Sequence, residues 1–175
     1  MSGVLIDISP PVHGGAPVFP GDTPYQQSWA ARIAPGCPVN VSAITLSPHV
    51  GAHADAPLHY AAQGQAIGAV DLAPYLGRCR VIHAIGRGPL VRWEHLAHAL
   101  ADAPPRVLVR VYQRQPQQAF DDDLPAFAPE TVERLADAGV TLLGTDSASV
   151  DPASSKDLPS HQVLRRRGLR VLENL

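Results

Sequence analysis

Apolar positions along this chain fall mostly in short alternating runs, and few of those runs have the length or period of a helix. Val4-Leu-Ile-Asp-Ile8 predicts a strand, stopped by Ser9-Pro10-Pro11. A Gly/Pro-rich loop follows through Pro17-Val-Phe-Pro-Gly-Asp-Thr-Pro24. Residues 26–33 predict a second strand. Alternation from Val39 to Leu46 predicts a third, which delivers the chain into Pro48-His49. Arg80 to Ile85 and Arg106 to Tyr112 predict further strands, the latter with Val107, Val109 and Val111 on one face. Between them, Trp93 to Ala101 predicts a helix. Glu130 to Ala138 carries the clearest helical period, with Pro129 suited to its first turn and Gly139 to its stop, and it runs into a strand at Val140 to Leu143. Ser160 is placed to cap a helix through Arg167, ended by Gly168, ahead of a last strand at Leu169 to Leu172. Strands dominate early and mix with helices later, with no repeat or composition break. The pattern predicts one α/β or α+β domain with a largely β core, spanning residues 1–175.

Composition narrows this picture. The chain has 175 residues, enough for one domain with its own core, and a net charge of -2 with Lys and Arg scattered. That distribution lacks the electrostatic footprint of a nucleic-acid binder. The one basic run, Arg165-Arg166-Arg167, reads as a solvated helix face. Cys37 and Cys79 are too few and too far apart for a disulfide framework or a zinc ribbon, and they suit a reducing compartment. The N-terminus lacks a basic n-region and a long apolar h-region, and no stretch approaches a membrane span, so a cytoplasmic enzyme is the expectation. Proline, at 18 of 175 residues, is about twice its usual share of roughly 5% and points to stiffened loops. Of the 8 histidines, three fall between His49 and His59.

That cluster is where chemistry enters. The segment His49-Val-Gly-Ala-His53-Ala-Asp55-Ala-Pro-Leu-His59 cannot be one continuous helix, because Pro57 lies inside it and Gly51 weakens it. It reads as a loop leaving a strand, stiffened by Pro48 and Pro57. His49, His53 and Asp55 place two imidazoles and a carboxylate within a few residues, the donors that Zn²⁺ or Mn²⁺ prefers. Isolated core or surface histidines do not usually occur in such a group. Three ligands leave a fourth position open, as in catalytic zinc sites; alternatively Asp55 bridges a second ion. The late candidates for that second ion are His161 and Glu173, and spacing alone singles out neither. His59 is suited either to carrying a proton near neutral pH or to serving as a further ligand. His95 and His98 read as a solvated helix face and Asp121-Asp122-Asp123 as an exposed turn. No Gly-x-Ser-x-Gly elbow, phosphate loop or His-Glu-x-x-His helix is present.

The segment from His49 to His59 resembles the His-x-Gly-Thr-His-x-Asp-x-Pro-x-His motif of the cyclase-like metal hydrolases. The flanking text is similar to one branch of them, the bacterial kynurenine formamidases (arylformamidases). Asp7-Ile-Ser-Pro-Pro11, Pro17 to Pro24, Pro38-Val-Asn-Val41, Ser47-Pro-His49, Ala56-Pro-Leu-His-Tyr60, Tyr75 to His83 and Gly144 to Pro152 carry this likeness over essentially the whole chain. The resemblance implies the family's swivelling β/β/α fold and a homodimer or larger homo-oligomer. It implies two divalent ions, usually zinc with manganese as the alternative: His49, His53 and Asp55 hold one, and Asp55, His161 and Glu173 the other. His59 becomes the general acid/base and Phe19 lines the substrate pocket. The implied reaction is hydrolysis of N-formyl-L-kynurenine to L-kynurenine and formate, in tryptophan breakdown. Rivals are a related hydrolase of another amide, lactam or cyclic substrate, and a non-catalytic metal-binding relative. Ala52 stands where the motif has Thr, and Phe19 where Trp is expected. Family members also continue past the position of Leu175 through a further strand-bearing segment, which implies an exposed sheet edge here.

Overall fold

The valine-rich runs converge in one sheet, and that sheet sets the position of everything that follows. The computed structural model describes residues 3–175. Strands β1 (Gln26–Ala31) and β2 (Val41–Thr45) form an antiparallel hairpin. The short β3 (His53–Ala54) leads into a helical turn, α1 (Pro57–Tyr60), and then β4 (Arg80–His83). Next come β5 (Leu90–Val91), α2 (Trp93–Leu96), β6 (Arg106–Arg110), β7 (Ala126–Phe127) and α3 (Pro129–Asp137). The chain closes with β8 (Leu142–Thr145), α4 (Pro159–Arg167) and β9 (Arg170–Glu173).

The central sheet has the order β3-β9-β8-β6-β4. β4, β6, β8 and β9 run parallel, and β3 adds to β9 in the antiparallel sense. Parallel neighbours need crossover connections, and α3 and α4 supply two of them. Val107 and Val109 of β6, Leu143 of β8 and Val171 of β9 bury one sheet face against Val132 and Leu135 of α3 and Val163 and Leu164 of α4. Each such side chain contributes roughly 1.5–3 kcal/mol when fully buried. The result is a mixed α/β fold with a sheet-rich core. Arg166 and Arg167 tie α4 to α3 by pairing with Glu133, and Arg167 also reaches Asp137, so the basic run is a partly solvated face with partners.

Three expectations need correction. Residues 4–8 form no strand: they are exposed and pair with no other described segment, and Asp7 folds back to accept the Ser9 N–H. Alternation yields a strand only where a sheet edge accepts it. Trp93 to Ala101 is broken into α2 and a 3₁₀ turn, Ala97–Ala99. Ser160 does not cap α4. Pro159 takes the first helical position, which puts Ser160 inside the helix, where its hydroxyl donates to the Phe127 carbonyl at 2.8 Å.

Candidate metal centre

Local chain chemistry explains how the early residues are aimed. After β2, the Ser47 N–H donates to the Thr23 carbonyl and its hydroxyl to Asp22. The chain then turns at Gly51, which has φ +74°, and a Cβ there would sit 2.5 Å from Val12 Cγ2. Only glycine fits both the left-handed backbone and the close approach. The turn brings the His49 and His53 rings edge to face, with centroids 4.8 Å apart. Pro57 opens α1, whose turn carries His59 back over the cluster. Gly64 packs against the Pro57 carbonyl, where a Cβ would be 2.3 Å away.

The late residues arrive by long-range pairing. β3 pairs with β9 so that His53 lies opposite Glu173. His161 sits in the first turn of α4 and is 2% exposed, as are Asp55 and Glu173. All five expected ligands therefore meet. Asp55 Oδ1 lies 3.2 Å from His49 Nδ1 and 3.3 Å from His53 Nε2. Asp55 Oδ2 lies 3.3 Å from His161 Nε2, which is 3.7 Å from Glu173 Oε1. Glu173 Oε2 is 3.5 Å from His53 Nε2. Donor atoms of His49, His53, Asp55 and Glu173 all lie within 4.8 Å of one another.

These atoms suit a cation for a reason that goes beyond proximity. His53 gives its Nδ1–H to the Gly51 carbonyl at 2.9 Å, and His161 gives its Nδ1–H to Asp151 at 2.7 Å. Each ring then turns a lone pair inward, onto carboxylate oxygens. Asp55 Oδ1 is buried and accepts no hydrogen bond. Lone pairs facing lone pairs repel unless a positive charge sits between them, so the residues present fit a bound metal.

Without metal, protons must supply that charge. Burial pushes the His53 imidazole down, but Asp55 and Glu173 outweigh it and raise the group to about 10. Burial is likewise overcome at His161 by Asp151 and Asp55, which raise it to about 10. Burial would raise Asp55, but His161, His49 and His53 hold it far below the usual carboxylate range. A histidine raised above its unfolded value of about 6.5 adds stability that is fully present below that pH and is lost as pH climbs through the folded value. Chelator-treated protein is therefore expected to melt progressively lower as pH rises from about 7 to about 10. Metal, which needs neutral imidazoles, should flatten or reverse that trend; thermal melts with and without chelator measure it.

Nothing in the sequence marks Asp151 as functional, although it lies within the Gly144 to Pro152 stretch that carries the resemblance. It is 1% exposed, and its carboxylate accepts the Ser160 and His161 N–H groups at 2.8 and 3.0 Å as well as the His161 ring. It thus caps α4 from outside the helix and fixes the tautomer of His161. The interaction with His161 holds Asp151 below the usual range despite burial. Asp151→Asn is expected to weaken metal binding roughly 10- to 100-fold in chelator competition, with the fold retained.

His59 stands apart from the five. Its side chain is 43% exposed, with Nε2 4.0 Å from Asp55 Oδ2. Burial, opposed by Asp55 and reinforced by His49 and His161, lowers its pKa, so the ring is neutral near pH 7. The site opens into a cavity of about 280 Å³ whose lining includes His59, Phe19, Phe120, Gln115 and Asn174. His95 and His98 take no part; His95 Nδ1 accepts the Arg92 N–H. Both cysteines are free.

Comparison with known proteins identifies the family. A family model described as "Putative cyclase" matches residues 6–152. The chain is 70% identical over 175 residues to a protein of Delftia acidovorans named kynurenine formamidase, covering 100% of this chain and 83% of the relative. It is 64% identical over 171 residues to the kynurenine formamidase of Bordetella pertussis, covering 98% and 82%. A solved structure described as a potential metal-dependent hydrolase with cyclase activity shares the fold, with TM-score 0.81 at 22% identity, covering 97% of this chain and 80% of the other.

Proposed function

The chain belongs to the cyclase family, in its kynurenine formamidase branch, and from that premise we propose that it is an arylformamidase hydrolysing N-formyl-L-kynurenine to L-kynurenine and formate, a step of tryptophan breakdown. The observation that carries the reading is the division of Asp55 between two donor groups, with a neutral imidazole beside them and a phenyl ring over the cavity. His49, His53 and one oxygen of Asp55 would hold one divalent ion, and the other oxygen, His161 and Glu173 a second. Zinc is the ion of choice for this nitrogen and oxygen set, with manganese the alternative. Bound there, the ions supply Lewis acidity and a nucleophile from water at neutral pH.

The chain's own residues do the rest. Phe19 faces the aryl ring and excludes water from it. His59 takes the proton that water loses as its oxygen bonds to the formyl carbon. It then returns that proton to the aryl nitrogen as the C–N bond breaks, because an anilide anion is a poor leaving group. His161, His49 and His53 around Asp55 keep it ionised and fixed. No helix among the described residues is long and apolar enough to cross a membrane. The reading includes a cytoplasmic location, supported by the two free thiols, and a homodimer or larger homo-oligomer, supported by Trp29, Val41 and Ile44 exposed on the β1–β2 hairpin. Light scattering tests the assembly.

The deciding experiment is an assay of metal-analysed protein on N-formyl-L-kynurenine. Formation of L-kynurenine and formate, abolished by chelator and restored by Zn²⁺, is the expected result. Fully metal-loaded protein that leaves this substrate intact, or that opens only lactams or cyclic amides, overturns the assignment.

A further inference from the structure

We propose that Phe120 is a second jaw of the substrate pocket, forming with Phe19 an aromatic clamp that selects aryl over saturated amides, and that Tyr112 and Asp121 latch it in place. The proposal deepens the formamidase reading and rests on it for the identity of the pocket.

The two phenyl rings come from different loops. Phe19 is held by a turn in which the Asp22 N–H donates to the Phe19 carbonyl at 2.9 Å. Phe120 lies on the long connection between β6 and β7. Their centroids are 5.0 Å apart with planes at 66°, an edge-to-face pair. Both line the cavity that holds His49, His59, His161 and Glu173, and no Lys or Arg is among its lining residues. The two rings touch each other, so a ring entering that space packs beside the pair and is bordered by both phenyl groups. Aromatic substrates complement both through their quadrupoles, and saturated rings of the same size do not.

A loop of this length holds a ring in one place only if it is pinned, and this one is pinned at both ends. At its start, the Asp146 carboxylate accepts the Val111 N–H at 2.7 Å and the Tyr112 N–H at 3.2 Å, and Gln115 Nε2 donates to the Asp146 carbonyl at 2.9 Å. At its end, the Tyr112 hydroxyl donates to Asp121 Oδ2 at 2.7 Å, while Asp121 Oδ1 accepts the Asp123 N–H at 3.1 Å. Tyr112 therefore bridges the root of the loop to the residue next to Phe120. Tyr112 and Asp121 are positioning residues; Phe120 is the one that meets the substrate.

The test compares two amide probes of matched size, N-phenylacetamide and N-cyclohexylacetamide, binding to the metal-loaded protein by ligand-observed NMR. The unaltered protein is expected to prefer the phenyl probe roughly ten-fold, the scale of a good aromatic contact. Phe120→Leu should bring that preference close to unity while metal content and cyclohexyl binding stay within about two-fold. Tyr112→Phe keeps the ring volume and removes only the latch, and should cut the preference part-way and raise KM more than it lowers kcat. Equal loss of both probes in Phe120→Leu, or a preference that survives it, overturns the clamp. If Phe120→Leu does not fold, Tyr112→Phe decides alone, and an unaltered preference there overturns clamp and latch together. A protein that shows the preference but leaves N-formyl-L-kynurenine intact refutes the formamidase reading and keeps the clamp.

Discussion

Replacing Asp55 by Ala is expected to empty the centre of metal and take turnover to background. The carboxylate is buried and approached by four imidazoles, three of them within 3.3 Å, so it is the one residue of the cluster that all four histidines share. Its two oxygens serve different donor groups, and Glu173, the remaining carboxylate, is already engaged in part: its Oε1 accepts the Val150 N–H at 2.8 Å. Without Asp55 the charge available to balance two divalent ions falls to one carboxylate. The inward lone pairs of His49 and His53, 3.0 Å apart, then lose the anion that fixes them. Asp55→Asn separates charge from shape: it preserves volume and one acceptor oxygen but cannot bridge, and should hold one ion at most. Elemental analysis after dialysis, read beside the assay, distinguishes the cases. A variant that retains two ions per chain with Ala at position 55 would remove the basis of the dinuclear assignment.

The early half of this site was legible because its candidate ligands lie close together in sequence. His49, His53 and Asp55 need only one tight turn to converge, and Gly51 and Pro57 mark where the chain bends. The late half was not, since nothing near Glu173 in sequence says that it will pair across β3–β9 with His53. His161 carried even less signal, because a histidine in the first turn of a helix is commonly solvated. Its partner inside the fold is Asp151, ten residues upstream, and the resemblance to a family was needed to single His161 out. The fold shows the same division. Val107 and Val109 point to one face of β6 as alternation requires, and that face is buried against α3 and α4. Val4 to Ile8 has equal strand character but pairs with no other described segment. Ser160 looked like a cap, yet Pro159 moved the helix start and the capping carboxylate came from a loop. Phe120 left no trace in the pattern, for its role depends on where two separate loops meet.

Replacing His59 by Ala should leave the metal in place and lower kcat by about 10²- to 10⁴-fold, the range that a positioned general acid/base supplies. The opposite result, loss of metal with modest change in what turnover remains, would make His59 a ligand. Geometry favours the first outcome. Donor atoms of the five expected ligands cluster around Asp55 and Glu173, whereas His59 reaches only Asp55 Oδ2, at 4.0 Å, and keeps 43% of its side chain exposed. It also packs against the His49 ring, with centroids 4.2 Å apart and planes tilted by 45°, a contact that leaves its nitrogen unengaged. A proton carrier needs this combination: an orientation set by neighbours, a free nitrogen toward the substrate, and a neutral resting form. His59→Gln tests the last requirement, since glutamine keeps hydrogen-bonding reach but cannot cycle a proton. If Gln restored turnover, orientation of the substrate would be the residue's contribution. If Gln were as slow as Ala, and a substrate with a more acidic aniline nitrogen regained most of the rate in both variants, the lost step is protonation of the leaving group.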